Sequence, residues 1–208
     1  MKVKNFDDVI FGRKSIKIFD ENFKIPKNEM MEIIEKATKA PSSVNMQPWR
    51  FLVVESKEGK DKLQPLIRFN TRQNETSSAM IVVLGDMYNY EYGEKIYNSA
   101  VEFGYMPLDI KNNMLPSILE MYKSLDRNQM KDIVNIDSSL AAMQLMLVAK
   151  SYGYETNPIG GFEKDKIAET FDLDKERYIP VMIIAIGKGK QVAHESYRLP
   201  VGDIIEFK

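Results

Sequence analysis

Pro41-Ser42-Ser43-Val44-Asn45-Met46-Gln47-Pro48 sets two hydroxyls and two carboxamides between a pair of prolines. Proline fixes φ and has no N–H, so the stretch is neither a helix interior nor a central strand; it reads as a rigid loop. Ser42, Ser43 and Asn45 give and accept hydrogen bonds without carrying charge, which suits a neutral polyol or the edge of a heteroaromatic ring. Taken alone, Pro41-Ser42-Ser43 is more commonly a turn that bonds its own backbone. Nearer the N-terminus, Arg13-Lys14-Ser15-Ile16-Lys17 gathers three cations around one hydroxyl. An arginine fork and a serine donor match the oxygens of a phosphate dianion; a solvated basic turn is the other reading. Asn157-Pro158-Ile159-Gly160-Gly161-Phe162 reads as a tight turn, and its paired glycines let a ligand approach the backbone closely.

Composition removes other chemistries. There is no cysteine and a single histidine, His194, so thiol nucleophiles, disulfides and the common zinc sites are excluded and no metal site is expected. His194 lies in a polar C-terminal stretch with no orienting partner, which predicts an exposed surface residue.

These groups need elements to hold them. Phe6, Val9 and Ile10 predict a short helix ended by Gly12, and Met30, Ile33, Ile34 and Ala37 a second one that delivers the chain to Pro41. Residues 50–55 read as a buried strand leaving the loop, with Trp49 a packing anchor. Residues 57–68 read as a helix, Asn70-Thr71-Arg72-Gln73 as a polar connection, and 79–85 as a second buried strand. Residues 88–135 form a methionine-rich helical excursion with a stripe through Met114, Ile118, Leu119 and Tyr122. Ile133, Ile136, Leu140, Met143 and Leu147 step by three and four, a seam buried in the core or at a twofold interface, on a long helix that Gly153 ends. A short helix over 164–171, a strand over 178–187 and an extended polar arm complete a chain of mixed α and β class.

The 208 residues fit one domain over positions 1–208. Lysine and arginine total 29 against 30 acidic residues, a formal charge of −1, so no global field draws in nucleic acid or an anionic membrane. The first eight residues lack the apolar core of a signal peptide, and no run is judged long enough to span a bilayer, which predicts a cytoplasmic protein.

The string Pro41-Ser42-Ser43-x-Asn45-x-Gln47-Pro48-Trp49-x-Phe51, preceded by Arg13-Lys14-Ser15-Ile16-Lys17-x-Phe19, resembles the nitroreductase family of flavin-dependent oxidoreductases. Weaker matches at Asn70, at residues 158–162 and at Arg198-Leu199-Pro200 extend the resemblance over nearly the whole chain. It implies an α+β fold, a mostly antiparallel central sheet flanked by helices, in an intertwined homodimer with two FMN sites at the interface. It further implies that Arg13 and Ser15 hold the FMN phosphate with Lys14 in support and Arg198 assisting, and that Lys17 stabilises the reduced ring. By the same resemblance Asn70 and Gln73 contact the flavin, a main-chain N–H of Ile159-Gly160-Gly161 lies against flavin N5, and Pro41, Ser42, Ser43 and Asn45 reach the flavin held mainly by the other subunit. The chain departs from the pattern at Lys14, often arginine; at Gly160, often glutamate; and at Ser196, often lysine.

The expected activity is transfer of hydride from NAD(P)H through flavin N5 to a nitroaromatic, quinone or similar conjugated acceptor by a ping-pong mechanism, with no catalytic side chain of its own. Two alternatives stand beside it: a flavin-binding dimer of the same scaffold with another role, such as flavin cleavage, dehalogenation or flavin storage, and an unrelated binding module in which both motifs are surface decoration.

Overall fold

The computed structural model describes residues 5–208, so the leader reading of the first eight residues lies partly outside the described residues. Among these, the helices are α1 (Phe6–Gly12), α2 (Lys27–Ala37), α3 (Lys57–Leu63), α4 (Thr71–Thr76), α5 (Gly93–Glu102), α6 (Leu108–Ser124), α7 (Arg127–Ser151) and α8 (Lys164–Thr170). The strands are β1 (Trp49–Val54), β2 (Ala79–Asp86), β3 (Glu155–Ile159) and β4 (Tyr178–Gly187). They form one sheet in the order β1-β2-β4-β3, every pair antiparallel. This is the α+β arrangement expected, with β1 and β3 at opposite edges.

All eight residues of β2 are buried, because both sheet faces are covered and the strand alternates between two cores. Met80, Val82 and Leu84 enter one with Ile16, Phe19, Leu63 and Ile167; Ala79, Ile81 and Val83 enter the other with Ile33 and Ala37 of α2 and Ala142, Leu145 and Ala149 of α7. Each isoleucine or valine so buried contributes roughly 1.5–3 kcal/mol. Pro180 would leave a gap in the ladder, and the register between β2 and β4 shifts there, between Val83 and Leu84.

The long helix is set at both ends by its sequence. Asp126 accepts from Asn128 N at 2.8 Å and Gln129 N at 2.9 Å while the Gln129 side chain accepts from Asp126 N at 3.0 Å, a capping box. At the far end Gly153 takes φ +82° and donates to Lys150 O, and Tyr154 N donates to Ala149 O, a Schellman closure.

Several expectations are corrected. Of the stretch read as a tight turn, residues 157–159 belong to β3, an edge strand where the exposed Pro158 is tolerated, and Gly160-Gly161-Phe162 follow it outside any strand. The polar connection after Asn70 is the start of α4, and the helix over 57–68 yields at Gln64-Pro65-Leu66 to a 3-10 turn. Of the two places read for the α7 seam, the core and a twofold interface, the core of the chain is ruled out: Ile136 is 63% exposed, Leu140 43% and Met143 40%. Its inward face is instead Met130, Val134, Asp137, Ala141, Leu145 and their neighbours. By length and composition α7 is also apolar enough to cross a bilayer, against the sequence reading, although 44% of its apolar window is buried inside the protein; summed over both faces, core and outward stripe mimic a spanning segment. Trp49 is 4% exposed against Ala40 and Ala141, and His194 is exposed, both as expected.

Candidate functional site

At the β3 edge, Arg13 caps α1 with its N–H on Val9 O and turns the chain extended. Ser15 pairs in parallel with Thr156, and Ile16 N donates to Thr156 O at 3.1 Å. Ile16 is buried while Ser15 and Lys17 are exposed, the alternation of an extended segment. Lys14 bonds Glu195 at 2.8 Å; the glutamate is 86% exposed, so the pair adds little stability but brings the arm that carries Arg198 to the basic segment.

From the other side, Asn70 donates to Ile67 O at 2.9 Å, and the Gln73 amide donates to Asn70 Oδ1 at 3.1 Å and to Asn157 Oδ1 at 3.4 Å. Gln73 is 4% exposed, so in this chain its amide orients Asn70 and joins α4 to β3. Ile159 is buried, and Gly160 and Gly161 follow it into solvent. A Cβ built on either glycine meets nothing within 4 Å, and neither has positive φ. Neither packing nor backbone conformation requires glycine here; the open backbone is what the missing side chains leave.

Pro41, Ser42, Ser43 and Asn45 lie at the opposite edge, where the loop enters β1. Three strand spacings, about 14 Å, separate the two edges, so within one chain this loop does not join the basic segment. A cleft of about 740 Å³ lies beside it, lined by Asn45, Gln47, Arg50, Tyr92, Lys95 and Phe103 among others.

The loop is anchored by residues that sequence reasoning missed. Arg50 donates to Gln47 O at 2.9 Å and to Asp86 Oδ2 at 2.8 Å. Asp86 is fully buried and also meets Arg177, Nε lying 3.0 Å from Oδ1 and Nη2 donating to Oδ2 at 3.1 Å; Arg177 extends the network to Glu91 at 2.8 Å. On the helical side Ser43 N donates to Asp137 Oδ2 at 3.0 Å, Tyr122 OH to Ser43 O at 3.3 Å, and Tyr97 OH to Val44 O at 3.1 Å. The sequence signal available for Asp86 was a carboxylate closing an apolar run; Asp137 shows none, being one polar residue in a long helix.

The basic edge fits a phosphorylated cofactor. Among the described residues Arg13 and Lys17 make no salt bridge, and Arg198 bonds only the neutral Ser196 Oγ and Tyr197 O, each at 2.9 Å. Arg13 and Lys17, flanking the exposed Ser15, with Arg198 on the arm that Lys14 tethers through Glu195, are a donor set for a dianion. Among the described residues no group of His, Asp and Glu is disposed to hold a metal.

The sequence model of the nitroreductase family matches residues 10–188. A Bacillus subtilis protein provisionally named NAD(P)H nitroreductase YdgI is 51% identical over 208 residues, covering all of both chains. The CLA biosynthesis enone reductase of Lactiplantibacillus plantarum is 37% identical over 185 residues, 88% of this chain and 85% of that one. The crystal structure of an Exiguobacterium sibiricum protein provisionally named a nitroreductase, in complex with FMN, superposes with a TM-score of 0.97 at 51% identity over 100% of this chain and 99% of that one. With its two motifs held at the two edges of a matching sheet, the chain belongs to the nitroreductase family.

Proposed function

We propose that the chain is one FMN-binding domain that acts as a homodimer and transfers hydride from NAD(P)H to a nitroaromatic, quinone or other conjugated acceptor, in two half-reactions at one site. The observation that carries this reading is the set Arg13, Lys17 and Arg198, none of which makes an ion pair with a carboxylate among the described residues. Charge of this kind calls for a phosphate.

In this reading Arg13 and Ser15 grip the phosphate, with Lys14 and Arg198 in support. Lys17 places an ammonium where reduction deposits negative charge on the ring and so favours the reduced state. The Gly160-Gly161 backbone, free of side chains, comes against the ring, and Asn70, oriented by Gln73, offers a carboxamide to its polar edge. Pro41, Ser42, Ser43 and Asn45 close the site from the partner subunit, since the loop lies at the far edge of its own sheet. When bound, FMN supplies reversible two-electron chemistry between the nicotinamide and the acceptor. The exposed apolar stripe of α7, Ile136, Leu140 and Met143, supplies the surface for a second copy. The enone reductase relative puts conjugated carbonyl compounds among the acceptors to be tried.

Visible spectra test the proposal. Purified protein is expected to be yellow, to bleach on anaerobic addition of NADH or NADPH, and to recover its colour on adding menadione or nitrofurazone. A protein that stays colourless after exposure to FMN contradicts the cofactor assignment; one that binds FMN but is not bleached by either nicotinamide favours a different role on the same scaffold.

A further inference from the structure

The loop beside the cleft is held in a shape its residues do not prefer. Val44, Asn45 and Gln47 have φ of 40°, 57° and 48°, the left-handed region that asparagine tolerates but that glutamine, and β-branched valine above all, avoid. Such a conformation persists only where its surroundings over-determine it. The surroundings are specific: Gln47 N on Ser42 Oγ at 3.0 Å and Arg50 on Gln47 O at one end, and at the other Tyr122 on Ser43 O, Tyr97 on Val44 O, and Ser43 N on the Asp137 carboxylate.

We infer that Asp137 is a positioning residue: reaching inward from α7, its carboxylate fixes the Ser43 N–H and thereby holds Ser42, Ser43 and Asn45 in the shape that meets the flavin. The inference rests on the reading that this loop faces FMN. A carboxylate is a costly choice for an interior acceptor, since a serine, an asparagine or a water serves a lone N–H without burying charge. Asp137 is 5% exposed, and among the described residues no cation pairs with it. What the charge adds is a stronger hold on one donor than a neutral acceptor gives. The same helix turns Ile136 and Leu140 outward, so the loop and the proposed subunit face are set by one rigid element.

The groups facing the carboxylate are the Ser43 N–H from the loop and the Tyr122 phenol from α6, with the Tyr97 phenol beyond it on α5. Burial raises the pKa of both phenols, so they are uncharged. Burial also raises the Asp137 carboxyl above its ordinary value, and the Ser43 N–H offsets this only in part. Because the folded state then binds the proton more tightly than the unfolded chain, acid favours the fold through this group while weakening its bond to the loop. Fold stability and loop positioning therefore respond to acid in opposite directions, which a purely structural acceptor does not do.

The test measures FMN affinity by fluorescence quenching, together with thermal melts of the apoprotein, for the parent and Asp137→Asn from neutral pH down to about pH 5. Expected is an affinity loss of about tenfold in Asp137→Asn at neutral pH, a parent affinity that falls with acid more steeply than the variant's, and a parent melting temperature that rises relative to the variant's as pH falls. FMN phosphate titrates equally in both proteins, so the difference between them isolates Asp137. Equal affinity and equal pH slope overturn the inference, as does a loss of affinity matched by a loss of melting temperature. Should Asp137→Asn fail to fold, Asp137→Ser, a neutral acceptor at the same place, is read the same way: weakened FMN with an unchanged apoprotein melt supports the inference, and unchanged FMN overturns it. A parent that takes up no FMN at neutral pH overturns the cofactor reading itself, an outcome read on the parent alone.

Discussion

Asp86 has no exposed surface and holds two arginines, one of which clamps the carbonyl of Gln47. Removing its charge leaves Arg50 and Arg177 facing each other, so Asp86→Asn is expected to cost about 3–5 kcal/mol in urea unfolding; a cost under about 1 kcal/mol contradicts the network as drawn. Lys60 is a further buried charge, 8% exposed, with its ammonium on Ser77 O. Burial, with Lys24 nearby, lowers its pKa from 10.5 to about 8. A lysine lowered in the folded state is protonated more in the unfolded chain between those values, so stability rises with pH across that window. The parent is thus expected to gain on Lys60→Met by at most about 3 kcal/mol between pH 8 and pH 10.5, read from denaturation midpoints; a flat difference contradicts the assignment. At this scale the sequence displayed the groups that face outward, Arg13, Ser15, Ser42 and Asn45, because motif spacing is local. It hid the groups that hold them, because Asp137 lies 94 positions and Tyr122 79 positions from Ser43, and nothing near either residue marks the pairing.

Elements with a strong period were legible, and those set by contacts were not. The apolar run of β2 and the three-four spacing of α7 each appear in the sequence as in the fold, and Gly153 ends α7 as expected. The end of β3, residues 157–159, was read as part of a turn because Pro158 and the two glycines that follow the strand are turn residues; pairing with β4 along Glu155–Ile159 overrides that composition up to Ile159. The seam of α7 was located, yet which stripe is inward depends on where β2 and α2 pack. Leu145 is fully buried against that sheet face, whereas Leu140, five residues earlier, is 43% exposed. Leu145→Ala is accordingly expected to cost about 2–5 kcal/mol in denaturant unfolding, with FMN affinity below the transition little changed. A loss under about 1 kcal/mol means that the inward face is wrongly identified.

For the whole molecule, one chain exposes an apolar stripe on its longest helix and holds the two motifs of the proposed cofactor site at opposite sheet edges. A second copy related by a twofold axis, as proposed, would answer both. Leu140→Arg, outward on that stripe, is expected to shift sedimentation toward monomer and to release FMN together; a variant that becomes monomeric and keeps FMN separates the two and contradicts a shared site. This scale was the least legible, since neither chain pairing nor the distance between motifs is written in any local pattern.

Subunit complementation tests the shared site most directly. Arg13→Ala and Asn45→Ala chains, each poor in FMN as homodimers, are to be unfolded, mixed and refolded, and bound FMN counted per dimer. If each site takes Arg13 from one chain and Asn45 from the other, the mixed dimer has one site carrying both changes and one carrying neither, and it recovers close to one tightly held FMN. If a single chain builds its own site, every site in the mixture carries a change, and no recovery above the two homodimers is seen.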